Sequence, residues 1–456
     1  MPSNIPTSGG QRTSGARTRN ASGRSSSSLG SFSSRAPKNM TIRGVHTRRK
    51  RSFLILAGSI IAAIIVLSAL LWWINRPVTV TIDGEETQVR VGSTLDEVFD
   101  AKKIEVRPGD YVSVSDNVIK AGMGRRFSAT LNGKKLSAKK SDELRIKGGE
   151  NLEFGNGDNV TEDFTYESEP IIPYLRMEGT GYTLQYISQW GYAGELQHRV
   201  GKDSGHKADV VVKEATDCVI TCIDPYIDGD KKLVALTFDD GPSSYTDEYL
   251  QILEKYGVKA TFFNLGDNVL QYPDVAKRVV EAGHQLCNHT MAHNQLTAVE
   301  GGVVYNEITR SAAVIEEATG ILTTHLRPPY GDFTEQSWLG SGGSVTASIR
   351  WTGDSQDWAL PGVDAMVSNA LLYLHSGSII LMHDGGGDRS QDVEALPKLI
   401  EQVQSEGYEF VTIADLMRAQ GNIPEDICSG TGTMPKDAVW PNEVAPEDLV
   451  ATQQDD

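Results

Sequence analysis

The sequence predicts a mixed α/β chain. A barrel-like α/β domain over residues 231–421 follows a membrane-spanning helix and a small β-rich, β-grasp-like domain. Three observations predict it. From Lys231 onward, short apolar runs alternate with amphipathic stretches, the pattern of repeated strand–helix units. Residues 53–74 are 22 positions without a charge. Residues 78–91, VTVTIDGEETQVRV, alternate apolar and polar around Asp83–Gly84, a hairpin signal.

A length of 456 residues leaves room for two or three domains. The net charge of −17 is unevenly spread: residues 1–51 hold eleven Lys or Arg and no Asp or Glu, which leaves −28 on the remainder. So acidic a body argues against nucleic acid as a partner. Residues 1–51 are rich in Ser, Gly, Arg and Thr and lack the apolar content to bury a core, so they are expected to be a disordered basic arm. The arm ends in Arg48–Arg49–Lys50–Arg51. Phe53–Ile74 follows, and as a helix it is roughly 33 Å long, enough for a bilayer core. Trp72 and Trp73 suit the interface, and the basic flank marks the cytoplasmic side. A cleaved signal peptide competes, but the run is long and no small-x-small site follows Trp73. The expectation is an uncleaved single-pass anchor in the cell membrane, with the amino terminus cytoplasmic and residues 77–456 outside. The arm then also meets anionic lipid head groups.

Beyond the anchor, residues 77–155 read as hairpin, short helix (Thr94–Phe99, capped by Ser93), then more strand. That order resembles the small repeated domains that precede catalytic modules in cell-wall proteins of Gram-positive bacteria, and it implies a spacer or wall-contacting module. Residues 156–230 suggest short strands, a β-rich intermediate region without a functional reading. Cys218 and Cys222 are close enough in sequence to pair, and with no second Cys pair nearby a disulfide or free thiols are favoured over a metal site. In residues 231–421, strands at Leu233–Leu236, Ala260–Phe263, Gly283–Asn288, Ser378–Met382 and Tyr408–Thr412 alternate with helices. The helices are Thr246–Tyr256, Pro273–Ala282, Val304–Thr319, Val393–Glu406 and Ile413–Gln420. Residues 422–456 are Pro- and acid-rich and are expected to form an exposed, flexible tail.

The chemistry gathers at strand ends. In KKLVALTFDDGP an apolar strand ends in Asp239 and Asp240 and then turns at Gly241–Pro242. Carboxyl ends of parallel strands are where catalytic groups collect. Two adjacent acids there repel unless something positive joins them; a cation on one carboxylate, with the other left free as a base, resolves the conflict. By itself the stretch is equally a D-G turn with solvated acids. His289 and His293, in HTMAH, have a spacing that on a helical turn puts both imidazoles on one face. With Asp240 they make a two-His, one-carboxylate set that leaves positions open. RPPYG (Arg327–Gly331) reads as a rigid turn, DSQDW (Asp354–Trp358) as a polar turn with an aromatic plug, and LMHD (Leu381–Asp384) as a strand ending in an acid–base histidine. Each of these alone is also an ordinary loop.

Together, TFDDGP, HTMAH, RPPYG, DSQDW and LMHD, in this order over about 190 residues, resemble the polysaccharide deacetylases of the NodB-homology type, carbohydrate esterase family four. The resemblance implies a distorted (β/α) barrel with its site at the strand carboxyl ends. It implies Asp240, His289 and His293 as metal ligands, Asp239 as catalytic base and His383 as general acid. Arg327 corresponds to the residue that orients the base, and Asp357 to the one that tunes the acid. Tyr330 corresponds to the residue whose backbone N–H helps hold the oxyanion, and Trp358 and Leu381 to the walls of an acetyl pocket. One divalent ion is implied, zinc first, with cobalt, nickel or manganese compatible with the same ligands.

The function expected is metal-dependent removal of N-acetyl groups from an extracellular glycan, peptidoglycan first. The same motifs fit an O-acetyl esterase on xylan or a chitin-oligomer deacetylase. A glycan-binding module without catalysis is a third reading, against which the presence of both Asp239 and His383 argues.

Overall fold

The computed structural model describes residues 45–446, with side chains from residue 55 onward. Most of the expected basic arm, and residues 447–456 of the expected tail, lie outside the described residues. The first element is a 30-residue helix, Val45–Ile74. Its stretch Ile55–Ile74 is, among the described residues, the one helix long and apolar enough to cross a membrane, and none of that stretch is buried.

The chain forms two compact units. One comprises residues up to Ile104 together with Ala129–Glu153, the other Glu105–Ser128 together with residues from Phe154 on. The expected domain 77–155 is therefore divided. The reason is pairing: Tyr111–Val112 pairs with Val118–Lys120 and with Val160–Thr161, in a three-stranded sheet of its own.

The first unit is built on a five-stranded sheet in the order Glu85–Arg90, Pro77–Ile82, Asn151–Asn156, Phe127–Leu131, Lys134–Lys135. The expected hairpin is there, and Asp83 and Gly84 both take positive φ (51° and 87°), as a tight two-residue turn between twisted strands requires. The helix Leu95–Lys102 buries Leu95, Val98 and Phe99. Its cap is Thr94, not Ser93. The Thr94 hydroxyl accepts from the Glu97 N–H while the Glu97 carboxylate accepts from the Thr94 N–H, a reciprocal pair that Ser93 is one residue too early to make.

In the second unit an eleven-stranded sheet runs through the region read as strand–helix. Its centre is Lys232–Gly241, buried along nearly its whole length. Parallel strands Thr261–Asn264, Gln285–Asn288, His325–Leu326 and Ala347–Ile349 follow in turn on one side. On the other side Ile379–His383 pairs with the upper half of the central strand and Tyr408–Val411 with its lower half, and Gly353–Asp354 pairs with Ile379–His383. The helices Thr246–Tyr256, Pro273–Glu281, Gly301–Thr319, Ser390–Ser405 and Ile413–Gln420 agree with the periodicity to within three residues at each end. The apolar faces of the first four pack on Val234, Leu236, Phe238, Phe262 and Ile380, while Ile413, Leu416 and Met417 of the fifth join Leu233, Ala235 and Phe263.

Residues 156–230 do not stand apart from the domain that follows them. Leu184–Gln189 pairs antiparallel with Ala347–Ile349 and carries Cys218–Ile223 and Leu175–Glu178 beyond it, extending the same sheet. The strands Phe164–Ile171, Gly194–Gly201 and Lys207–Lys213 form a separate antiparallel sheet. Cys218 and Cys222 sit on the single strand Cys218–Ile223, and all four cysteines are free and buried. Four residues along a strand place these two roughly 13 Å apart, beyond the reach of a disulfide. The expected tail is also corrected over its described part. Ile427, Cys428, Val444 and Ala445 are buried, and the main chain of Ala445 pairs with Leu175. Few apolar residues mark this segment, but those few are packed inside.

Candidate active site

Asp239 and Asp240 end the central strand, as expected, but the backbone does not stay regular between them. Successive strand residues point to opposite faces, which would send the two carboxylates apart. Here the ladder to Thr261–Asn264 passes from Asp239–Phe263 to Gly241–Asn264, so Asp240 is an extra residue, bulged, with φ of 67°. A bulge re-aims its side chain. Both carboxylates consequently reach the same imidazole: His289 Nε2 lies 3.8 Å from Asp239 Oδ2 and 3.5 Å from Asp240 Oδ1. The strand end closes tightly around Asp240. A Cβ on Gly385 would stand 1.9 Å from the Asp240 carbonyl oxygen.

His289 and His293 follow the strand Gln285–Asn288 in a loop, not on a helical turn. Their convergence comes from left-handed residues, Thr290 (φ 71°) and His293 (φ 59°), and from Glu307. That carboxylate, on the helix Gly301–Thr319 and nearly buried, accepts from the N–H groups of Met291 (3.2 Å) and Ala292 (3.0 Å) and from the Asn294 amide (3.0 Å). The two imidazole centroids are 5.1 Å apart. His289 Nδ1 donates to the carbonyl oxygen of Arg327 at 2.6 Å, which leaves its Nε2 with a free lone pair. His293 Nε2 is also 3.5 Å from Asp240 Oδ1. Burial and the neighbouring His289 hold the His293 imidazole below its usual pKa, against the pull of the two aspartates.

Asp240 Oδ1 is buried and has no hydrogen-bond partner. An orphaned carboxylate oxygen 3.5 Å from two imidazole nitrogens is the separation expected of tetrahedral ligands whose bonds to a cation are about 2.1 Å. The donor set of Asp240, His289 and His293 fits a divalent metal.

Asp239 is 3% exposed, and Arg327, fully buried, donates to its Oδ1 at 2.8 Å. The guanidinium is itself fixed on every side, to Thr237 Oγ1 (2.7 Å) and to the carbonyls of Ile349 (3.2 Å) and Arg350 (3.1 Å), with the Phe263 ring 4.2 Å away. Burial lowers the Arg327 pKa, and Asp239 opposes that.

Across the ladder, Asp239 faces His383. His383 Nδ1 donates to Asp357 Oδ1 at 2.7 Å, and the His383 backbone N–H donates to Asp357 Oδ2 at 2.7 Å. Burial alone would lower the imidazole pKa; the Asp357 hydrogen bond and charge, with Asp239 and Asp240 adding to them, raise it to about 9. Burial would raise Asp357, but His383 brings it down to about 2.

Leu381 is buried two residues before His383, on the same face of the strand. Trp358 follows Asp357 in a 3₁₀ turn and is 62% exposed. Tyr330, with φ of 63°, is 66% exposed, and its ring packs edge-on against His293 at 4.8 Å. The structure thus brings together Asp240 with both histidines, Asp239 with Arg327, His383 with Asp357, and Tyr330 with His293.

Sequence reasoning missed the residues underneath. Glu307 was visible only as a charge on the apolar stripe of its helix, between Val304 and Ile308. Arg389, nearly buried, lies 3.3 Å from Asp392 and 3.8 Å from Asp357 Oδ2. Burial and Asp357 push Asp392 up to about 8. Burial likewise raises Asp384, whose Oδ2 accepts from Thr246 at 2.5 Å, to about 7. Asp384 closes the LMHD motif, which gives no sign of its bond to Thr246; no motif marks Glu307, Arg389 or Asp392.

Residues 227–341 match the family model for polysaccharide deacetylase, and residues 78–115 that for a G5-linked ubiquitin-like domain. A chitooligosaccharide deacetylase from Bradyrhizobium sp. is 38% identical over 196 residues, which cover 40% of this chain and 90% of that one. A peptidoglycan-N-acetylglucosamine deacetylase from Bacillus cereus is 36% identical over 195 residues, covering 42% and 91%. The solved structure of the peptidoglycan deacetylase PdaC from Bacillus subtilis aligns with a TM-score of 0.40 at 30% identity, over 42% of this chain and 94% of that one. By its motifs and its identity to the Bradyrhizobium and Bacillus cereus deacetylases, the chain belongs to the polysaccharide deacetylases of the NodB-homology type, carbohydrate esterase family four, and is an enzyme of that hydrolase family.

Proposed function

We propose that the chain is a membrane-anchored, metal-dependent deacetylase that removes N-acetyl groups from the amino sugars of an extracellular glycan, peptidoglycan above all. The observation that carries the reading is Asp239, clamped by Arg327 at 2.8 Å beside the Asp240–His289–His293 donor set. The named substrates of the relatives, peptidoglycan N-acetylglucosamine and chitooligosaccharide, both present an acetamide on a hexosamine. The apolar stretch Ile55–Ile74 supports an anchor, since so long an exposed apolar surface is stable in lipid and not in water. In this reading the amino terminus is cytoplasmic, the domains beyond residue 77 are extracellular, and the 77–155 segment is a spacer to the wall. The catalytic domain is taken as a distorted barrel.

Asp240, His289 and His293 hold the ion, zinc in this reading. When bound, it supplies Lewis acidity that activates water and polarises a carbonyl. Asp239 accepts the proton of the attacking water, with Arg327 fixing the carboxylate in register. The Tyr330 backbone N–H helps stabilise the oxyanion. His383, protonated and oriented by Asp357, gives its proton to the leaving amine. Trp358 and Leu381 flank the acetyl methyl. The products are acetate and a free amino sugar.

The test is acetate release from purified peptidoglycan, chitin oligomers and acetylxylan. Release from peptidoglycan above the others supports the reading. Release from acetylxylan alone replaces it with an O-acetyl esterase. Glycan binding without release from any of the three leaves a binding module.

A further inference from the structure

Tyr182 lies upstream of residue 227, where the match to the family model begins. It is 60% exposed, yet every polar atom it has is held from behind. Its N–H donates to Asp224 Oδ1 at 2.9 Å, its carbonyl accepts from Arg350 Nη1 at 2.9 Å, and its hydroxyl donates to the Gly331 carbonyl at 3.0 Å. The Arg350 guanidinium lies over one face of the ring, 4.1 Å from its centre. Arg350 is itself almost wholly buried and also bonds the carbonyls of Gly331 (2.6 Å) and Phe333 (2.8 Å). The approach is close enough that a Cβ on Gly181 would meet the Ile223 backbone at 2.0 Å.

What the ring leaves to solvent is therefore a flat apolar face, fixed in place at a cost in side-chain freedom that packing does not require. Its anchor, Gly331, is the next residue after Tyr330, whose ring touches His293. A rigid exposed aromatic face beside a glycan-processing centre matches the C–H face of a pyranose ring.

We propose that Tyr182 is a sugar-binding platform for the pyranose next to the one that is deacetylated. It gives residues 156–230 a part in substrate recognition. The proposal rests on the deacetylase reading for its substrate class, an N-acetylhexosamine chain.

The experiment is isothermal titration calorimetry of the full chain in detergent with the dimer and the hexamer of N-acetylglucosamine, alongside acetate release. Tyr182→Ala and Tyr182→Leu are expected to weaken hexamer binding about tenfold and dimer binding less, and Tyr182→Phe, which keeps the ring, to stay within about threefold of wild type. Tyr166→Ala, an exposed tyrosine on a separate sheet, is expected to change nothing. Unchanged hexamer binding in the Ala and Leu variants overturns the platform. So does a Phe variant as weak as Ala, which would assign the effect to the hydroxyl latch on Gly331, and so does a wild-type chain that binds no oligomer. A wild-type chain that binds the hexamer through Tyr182 but releases no acetate overturns the deacetylase reading and leaves the platform standing.

Discussion

The Nδ1–H of His289 donates to the main-chain carbonyl oxygen of Arg327 at 2.6 Å, while the side chain of Arg327 holds Asp239 at 2.8 Å. One residue thus orients an imidazole of the proposed ligand set through its backbone and the proposed base through its guanidinium. The two functions separate by mutation. Arg327→Lys keeps the carbonyl and removes the fork that bonds Thr237, Ile349 and Arg350 at the same time. Metal content is expected to stay at the wild-type level while kcat falls about 100-fold, since the base is no longer fixed in position. Elemental analysis and kinetics on one preparation check this. Loss of metal together with activity would show that the side chain, too, supports the ligand set.

The acid should show itself on the alkaline side of the pH profile. In the proposed mechanism His383 acts as a donor only while protonated, so activity is expected to fall as pH rises through its pKa. With the imidazole raised to about 9 the enzyme stays active well above neutrality, and a bound cation, by offsetting Asp239 and Asp240, sets the alkaline limb somewhat below that value. Asp357→Asn removes the partner that raises the pKa and leaves the burial that lowers it. The limb is expected to move about one to three units toward acid. A kcat profile for the two proteins decides it; an unmoved limb would assign the limb to another group.

Gly385 allows the strand that ends at His383 to pass Asp240. A Cβ there would stand 1.9 Å from the Asp240 carbonyl, and backbone cannot move aside as a side chain can. Gly385→Ala is therefore expected to displace the bulged aspartate and weaken metal binding by more than about tenfold, with a smaller change in melting temperature. Equilibrium dialysis with zinc measures it, and wild-type affinity in the variant would contradict the tight fit.

Much of this site was legible because its chemistry sits in contiguous motifs at strand ends. Asp239–Asp240, His289, His293 and His383 all end or follow strands that the sequence pattern marked, whereas Arg327 was legible only as part of a turn motif, behind the unmarked two-residue strand His325–Leu326. The illegible part is backbone geometry and distant partners. Nothing in TFDDGP announces that Asp240 is bulged, and HTMAH carries the spacing of a helical turn while folding through left-handed Thr290 and His293. Arg389 reaches Asp357 from 32 positions away, and Leu184–Gln189 joins the main sheet by pairing with Ala347–Ile349, over 150 residues on. Local pattern cannot fix such pairs, because their energetic reason exists only once the chain has folded. The segment after residue 422 was misread for the opposite cause: its composition is polar, but a few residues such as Ile427 and Val444 complete apolar clusters.

Glu307 offers the sharpest test of how the histidine loop is held. Its two oxygens satisfy three donors, the N–H groups of Met291 and Ala292 and the amide of Asn294, all between or beside His289 and His293. None of the three bonds reaches an imidazole, so the residue acts on the ligands only through the loop. Glu307→Ala leaves these donors without their acceptor, and the left-handed residues Thr290 and His293 lose the support of the bonded segments beside them, keeping their own bonds to Asn288 and Thr290. Zinc affinity is expected to drop about 10- to 100-fold, as for other supports behind metal ligands, and kcat at saturating zinc to recover most of its wild-type value. Glu307→Gln keeps one acceptor oxygen and should fall between the two. If zinc binds Glu307→Ala as tightly as wild type, the strand Gln285–Asn288 and the Arg327 carbonyl are sufficient to set the loop, and Glu307 serves only the packing of its helix.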